Sequence, residues 1–161
     1  MPILTRPEAH QEPTTKPSVS LILERHHRRI DEMLERIAIA LDLASWGEAR
    51  LVFARFRAEL EEHIRIEEQL MFPSFEAFTR GFGGPTVVMR AEHAQIAQAV
   101  DALAARLDGE QDTGDELQRL QAMLASHNAK EEGILYPMFE RHASEEACSA
   151  LLDELRPLLD Q

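Results

Sequence analysis

Cysteine is all but missing from this chain. A lone Cys148 excludes an intramolecular disulfide and any Cys-rich zinc or iron–sulfur site. Aromatic residues are also scarce, at 6% with one Trp and one Tyr. β-Branched residues are sparse, while Ala, Leu, Glu and Arg dominate, a composition that favours helices over strands. Positive charge is short: 17 Lys and Arg stand against 29 Asp and Glu, for a net charge of −12. With no basic footprint, nucleic acid is not an expected partner. No apolar run approaches ~20 residues, so no membrane span is expected. Met1 to Ser20 has no apolar stretch of the kind a secretory signal needs, which makes the cytoplasm the simplest address. What remains is a 161-residue chain, 44% hydrophobic, enough for one domain with a tail.

The tail is residues 1–17, where Pro2, Pro7, Pro13 and Pro17 interrupt a polar stretch and predict a flexible segment. Residues 18–161 read as the domain. A first helix is expected from about Ser20 to Leu43, with the inward stripe Leu23, His27, Ile30, Leu34, Ile37, Leu41. A second begins at Ser45, which with Glu48 has the spacing of a capping box. Its stripe is Phe53, Phe56, Leu60, His63, Glu67, Leu70. The Gly-rich stretch Arg80 to Pro85 breaks the chain. The third helix starts near Pro85 or Thr86, with the stripe Met89, His93, Ile96, Val100, Leu103, Leu107. After the polar loop Asp108 to Gly114, Thr113 and Glu116 offer a second capping box. The fourth stripe is then Leu117, Leu120, Leu124, His127, Glu131, Ile134, Met138. A short helix from about Glu145 to Leu155, capped by Ser144, closes the chain. Four amphipathic helices on short loops, with stripes stepping by three and four, predict an all-α, up-down-up-down four-helix bundle with a short C-terminal helix.

Six stripe positions are not apolar: His27, His63, Glu67, His93, His127 and Glu131. Each of the four long helices supplies one His, and the second and fourth add a Glu four residues later, on the same face. The heights agree as well. The midpoint of His27 and His63 is position 45, at the first break, and that of His93 and His127 is position 110, in the loop. Each His pair should therefore meet across its own hairpin. Residues 63–76 parallel residues 127–140, with seven positions matching in type at a constant offset of 64. His-x-x-Ile recurs at His27 and His93. Two similar hairpins face each other, each presenting two His and one Glu.

Six ionisable groups in a bundle core are costly when uncompensated, enough together to erase a net stability of roughly 5–15 kcal/mol. Cations resolve the cost, because imidazole nitrogen and carboxylate oxygen are their ligands. Four His and two Glu exceed the needs of one tetrahedral zinc. They suit two metals, each with two His, bridged by two carboxylates. Iron fits this donor set, with manganese and zinc as alternatives.

The His-x-x-x-Glu-Glu…[Phe/Tyr]-Pro segments at 63–73 and 127–137, with the upstream His-x-x-Ile, resemble the hemerythrin-like (HHE cation-binding) family over about residues 20–141. The resemblance implies a four-helix bundle holding two non-haem iron ions, joined by an oxo or hydroxo bridge. It implies His27, His63, His93 and His127 as terminal ligands and Glu67 and Glu131 as bridges. Oxygen carriers of the family have a second His four residues before the position of His93, where this chain has Met89. They also use an Asp five residues after the last His, where this chain has Glu131 at four. The chain thus looks closer to the bacterial four-His, two-carboxylate members, some of which repair iron–sulfur centres after nitrosative or oxidative stress. Fewer protein ligands leave positions for O2, peroxide or NO. The expected function is binding or reduction of such a ligand in stress defence or sensing, with iron storage or donation as the alternative. The repair members carry an additional N-terminal domain without a counterpart in this sequence, so their role is not expected to transfer directly. A sensor would act through a separate signalling protein, and a donor through an iron-accepting one.

Around this set, His27 is read as the ligand and His26, off the stripe, as exposed or at a helix boundary. Glu68 and Glu132 are read as solvated flanks, against the alternative that they accept from a ligand His. Glu59 and Glu92 are read as ordinary surface residues. Asp31 reads equally as a partner of His27 or as surface. Met89 is read as core, Tyr136 as a packing or interface residue, and His10 and His142 as solvated. Pro73 and Pro137 are expected to kink or end their helices.

Overall fold

The structure is a computed structural model that describes residues 18–80 and 84–158, so the expected tail at 1–17 lies outside the described residues. Every element among them is helical: α1 (Val19–Asp42), α2 (Trp46–Ile66), α3 (Phe72–Phe78), α4 (Gly84–Asp108), α5 (Gly114–Lys130), α6 (Tyr136–His142) and α7 (Glu145–Leu155). Single π-helical turns, Glu67–Met71 and Glu131–Leu135, join α2 to α3 and α5 to α6. No helix among the described residues is long and apolar enough to cross a membrane.

Local chemistry sets the boundaries. Ser18 caps α1 by accepting from the Leu21 N–H, and its hydroxyl donates to Glu140 at 2.6 Å, tying α1 to α6. Ser144 caps α7 in the same way through the Ala147 N–H, as expected. Neither expected capping box forms. The Ser45 N–H instead bonds the Ala40 carbonyl at 2.8 Å, closing the end of α1, and this holds Ser45 out of the extended cap conformation. At α5, Asp112 takes the Gly114 N–H at 3.0 Å, and Glu116 turns to Arg106. The hairpin turns pivot on residues with positive φ that are not glycine, Ala44 (φ 52) and Glu110 (φ 51).

Of the two proline readings, an end to the helix does not hold. Neither Pro73 nor Pro137 ends a helix; each sits in the first turn of the segment after a π-turn. The Phe72 N–H reaches back five residues to the Glu67 carbonyl, and the Tyr136 N–H to that of Glu131. Pro73 has no N–H to give the Glu68 carbonyl, which accepts from Arg90 instead, at 3.3 Å. The extra residue in each turn shifts the inward stripe by one. Ile134, expected inside, is 54% exposed, and Leu135 is buried in its place. Met71 likewise takes the buried position expected for Leu70.

Helix α1 packs on α2 and α4 on α5; α2 meets α4, α1 meets α5, and α7 lies against α1. The core falls into two apolar clusters. One holds Ile30, Leu60, Ile96 and Leu124 among its members; the other holds Leu23, Ile66, Met89 and Leu135. Between those residues each long helix carries an inward His, α1 carrying the buried His26 beside His27, so the ionisable layer crosses the molecule between two greasy blocks.

Candidate metal centre

All six polar stripe residues are buried and converge. His27 Nε2 lies 3.0 Å from His63 Nε2, and His93 Nε2 lies 3.0 Å from His127 Nε2. The two carboxylates span the two pairs. Glu67 turns Oε1 toward His63 Nε2 and Oε2 toward His93 Nε2, each at 3.3 Å. Glu131 turns Oε2 toward His27 Nε2 at 3.2 Å and Oε1 toward His127 Nε2 at 3.1 Å. Two four-residue groups result, His27–His63–Glu67–Glu131 and Glu67–His93–His127–Glu131, each with one ligand atom per residue within 4.8 Å of the others.

The other ring nitrogen of every imidazole faces outward and has a partner. His27 Nδ1 meets Glu132 at 2.8 Å, His93 Nδ1 meets Glu68 at 2.8 Å, and His127 Nδ1 meets Glu92 at 2.9 Å. His63 Nδ1 meets His26 Nδ1 at 2.9 Å, and His26 Nε2 lies 3.4 Å from Glu59. Carboxylates that accept at Nδ1 fix its proton there and leave the Nε2 lone pair pointing in. Two lone pairs facing each other at 3.0 Å repel unless a proton or a cation lies between them. Glu67 Oε2 and Glu131 Oε1 are buried without a hydrogen bond, which marks the same centre as short of positive charge. The donor set therefore fits metal ions.

The electrostatics agree. Burial alone would depress the His27, His93 and His127 imidazoles. Hydrogen bonds donated to the carboxylates, and the charge of those carboxylates, outweigh it, raising all three, His127 to about 9. Burial likewise opposes ionisation of Glu67 and Glu131, yet both are held below the usual carboxylate range, Glu67 well below it, by the histidines around them. His26 goes the other way: burial, then the neighbouring His63, push it down to about 3.

Several outer residues differ from their sequence reading. His26 is only 3% exposed, neither at the surface nor at a helix boundary, and it supports His63 rather than entering the cluster. Glu68 and Glu132 accept from His93 and His27, as in the alternative reading, and Glu92, read as a surface residue, accepts from His127. Glu59 pairs with Arg29 behind His26. Asp31 is half-buried, and Glu132 takes His27 Nδ1 instead. Tyr136 is fully buried in the centre. It donates to Glu67 Oε1 at 2.6 Å and lies 3.0 Å from Glu131 Oε2. Burial, then the two carboxylates, raise its phenol well above the ordinary value. Its ring stacks on His27 at 5.7 Å, and Phe72 stacks on His93 at 5.7 Å in the equivalent place. Met89 is buried and His142 exposed, as expected. The repeat contained a signal for some of this: Glu68 and Glu132 are paired positions within it. The stripes could not reveal His26 and Glu92, which lie one residue off them.

Comparison with known families gives a match. The family model described as Hemerythrin HHE cation binding domain matches residues 19–139. Among curated proteins and among solved structures, none matches.

Proposed function

The chain belongs to the hemerythrin HHE cation-binding domain family, and on that premise we propose that it is a non-haem di-iron protein that binds or reduces O2, peroxide or NO in stress defence or sensing. The fold in this reading is an up-down-up-down four-helix bundle. His27, His63, His93 and His127 are terminal ligands, and Glu67 and Glu131 bridge two irons. The carrying observation is that each buried carboxylate turns one oxygen to each His pair while every outer imidazole nitrogen is held by a partner. Manganese and zinc can use the same donors, but iron supplies, when bound, one-electron redox changes and open coordination positions for small ligands.

The chain's own residues then have separable tasks. Glu68, Glu92 and Glu132 hold the Nδ1 protons and keep three imidazoles oriented with Nε2 inward. The two apolar clusters exclude water from either end. Tyr136 places a hydroxyl proton among the buried carboxylates, the one phenol within reach of them.

A store or donor of iron is the second reading. It is favoured by the partial exposure of Glu132 and Glu68, at 36% and 32% of their side chains, which puts two imidazoles one residue from solvent. Metal analysis with an optical spectrum separates the readings. A redox centre shows near-ultraviolet ligand-to-metal absorption after aerobic purification, bleached on reduction and altered by NO. A donor loses iron readily to a chelator or an apo-acceptor. Glu67→Ala and Glu131→Ala should each lower metal content well below two per chain. Unchanged stoichiometry in both contradicts the bridging assignment.

A further inference from the structure

The two halves of the centre are related by the internal repeat, and two of their differences touch the ligand side chains directly. Each hairpin places the residue before its first His against Nδ1 of its second. In the α4–α5 hairpin that residue is Glu92, which accepts from His127 at 2.9 Å. In the α1–α2 hairpin it is His26, at 2.9 Å from His63. An imidazole that accepts at Nδ1 is neutral and carries its own proton on Nε2. His63 thus has a neutral acceptor, with Glu59 one step further out, while His127 has an anionic one. The second difference is Tyr136 against Phe72. The Tyr136 hydroxyl donates to Glu67 Oε1 at 2.6 Å and lies 3.0 Å from Glu131 Oε2, the two oxygens that face His63 and His27, and 3.1 and 3.4 Å from the Nε2 atoms of His27 and His63 themselves. Phe72 offers the other two oxygens nothing.

Both differences act in one direction. A carboxylate behind a ligand imidazole raises its basicity, and losing such a partner typically costs 10–100-fold in metal affinity. A hydroxyl donating to a carboxylate oxygen draws charge from the donor that a metal would use. The surrounding cations do not reverse this. Lys130 and Arg90, behind Glu92 and Glu68, have side chains 42% and 37% exposed and are screened. Arg29, behind Glu59, is 26% exposed and draws that carboxylate away from His26. We infer that the two metal positions are unequal: the His93–His127 position holds its ion more tightly, and the His27–His63 position is the exchangeable one.

This rests on the dinuclear reading above and is tested apart from it. The full chain, stripped of metal, is titrated anaerobically with ferrous iron and heat is recorded. Two steps at least about 10-fold apart are expected. His26→Glu and Tyr136→Phe should each tighten the weaker step and leave the tighter one in place, whereas Glu92→His should weaken the tighter step. Two equal steps in the unaltered chain, which needs no variant to fold, overturn the inference and leave the dinuclear reading standing. Tightening of the stronger step by His26→Glu reverses the assignment and also overturns it. A chain that takes up no iron at all defeats both.

Discussion

An imidazole in this centre is defined by what lies behind it as much as by what it faces. His27, His93 and His127 would each be a poor resident of an apolar core alone, because burial disfavours their charged form. A carboxylate at 2.8 or 2.9 Å fixes the tautomer and converts the ring into an inward acceptor. The same logic of a half-exposed carboxylate tying down a neighbouring segment appears at Glu140. There the carboxylate accepts from the Ser18 hydroxyl and, at 3.0 Å, from the Ser20 N–H. Burial would raise its pKa, but these bonds outweigh it and lower the carboxyl below its ordinary value of 4.5. A depressed carboxylate pKa means the native state favours the ionised form. The contribution is therefore whole above the ordinary value and fades as pH falls through the native one. Glu140 is solvent-accessible, so a discounted ~0.5–1 kcal/mol is the scale to expect. Thermal melts of Glu140→Gln should show a midpoint lower by about 1–4 °C at neutral pH, with the gap closing in acid. A gap that persists or widens below the ordinary carboxylate range would assign the loss to packing instead.

At the scale of elements, hydrophobic period and histidine spacing were enough to place four long helices, the capped C-terminal helix and the convergence of six polar residues on one layer. The pattern failed at a definable point. A period of 3.6 assumes unbroken α-helix, and each π-turn begins at the very Glu the stripe had identified. Past Glu67 and Glu131 the stripe runs one residue late, so the unbroken period points Ile134 inward and gives Tyr136 only a packing or interface place. A π-turn leaves no compositional trace beyond the Phe/Tyr-Pro pair that follows it. The partners of Nδ1 were illegible for a different reason. They are set by contacts between helices, and stripe analysis ranks faces of single helices. The turns escaped as well: Gly47 and Gly109 look like the breakers, but the left-handed residues are Ala44 and Glu110. Ala44, an exposed residue, carries the strain of positive φ. Ala44→Gly should therefore raise stability by up to about 1 kcal/mol, read as a melting midpoint about 2–4 °C higher. A lower midpoint would mean that glycine's greater freedom in the unfolded chain outweighs the relief.

The whole molecule stacks an apolar block, a layer of buried imidazoles and carboxylates, and a second apolar block. The blocks supply the hydrophobic driving force, but the layer between them works against it while its charges remain uncompensated. Four inward lone pairs and two carboxylate oxygens without hydrogen bonds are drawn together by folding alone, since they come from four different helices. The unfolded chain has no such cluster, so a cation that binds there binds the native state almost exclusively. Mass action then makes metal affinity a part of folding stability, worth about 2.7 kcal/mol when free metal is 100 times its dissociation constant. For a chain of this length that is a rise of roughly 5–11 °C in the melting midpoint. Melts at increasing ferrous iron under anaerobic conditions should move upward with the logarithm of its concentration, and excess chelator should return them to the metal-free value. Glu67→Ala should flatten that dependence, because removing a bridge from one helix weakens both positions together. If the melting midpoint of the unaltered chain ignores the metal, the layer is compensated by protons alone, and the cation is not what the two hairpins are built around.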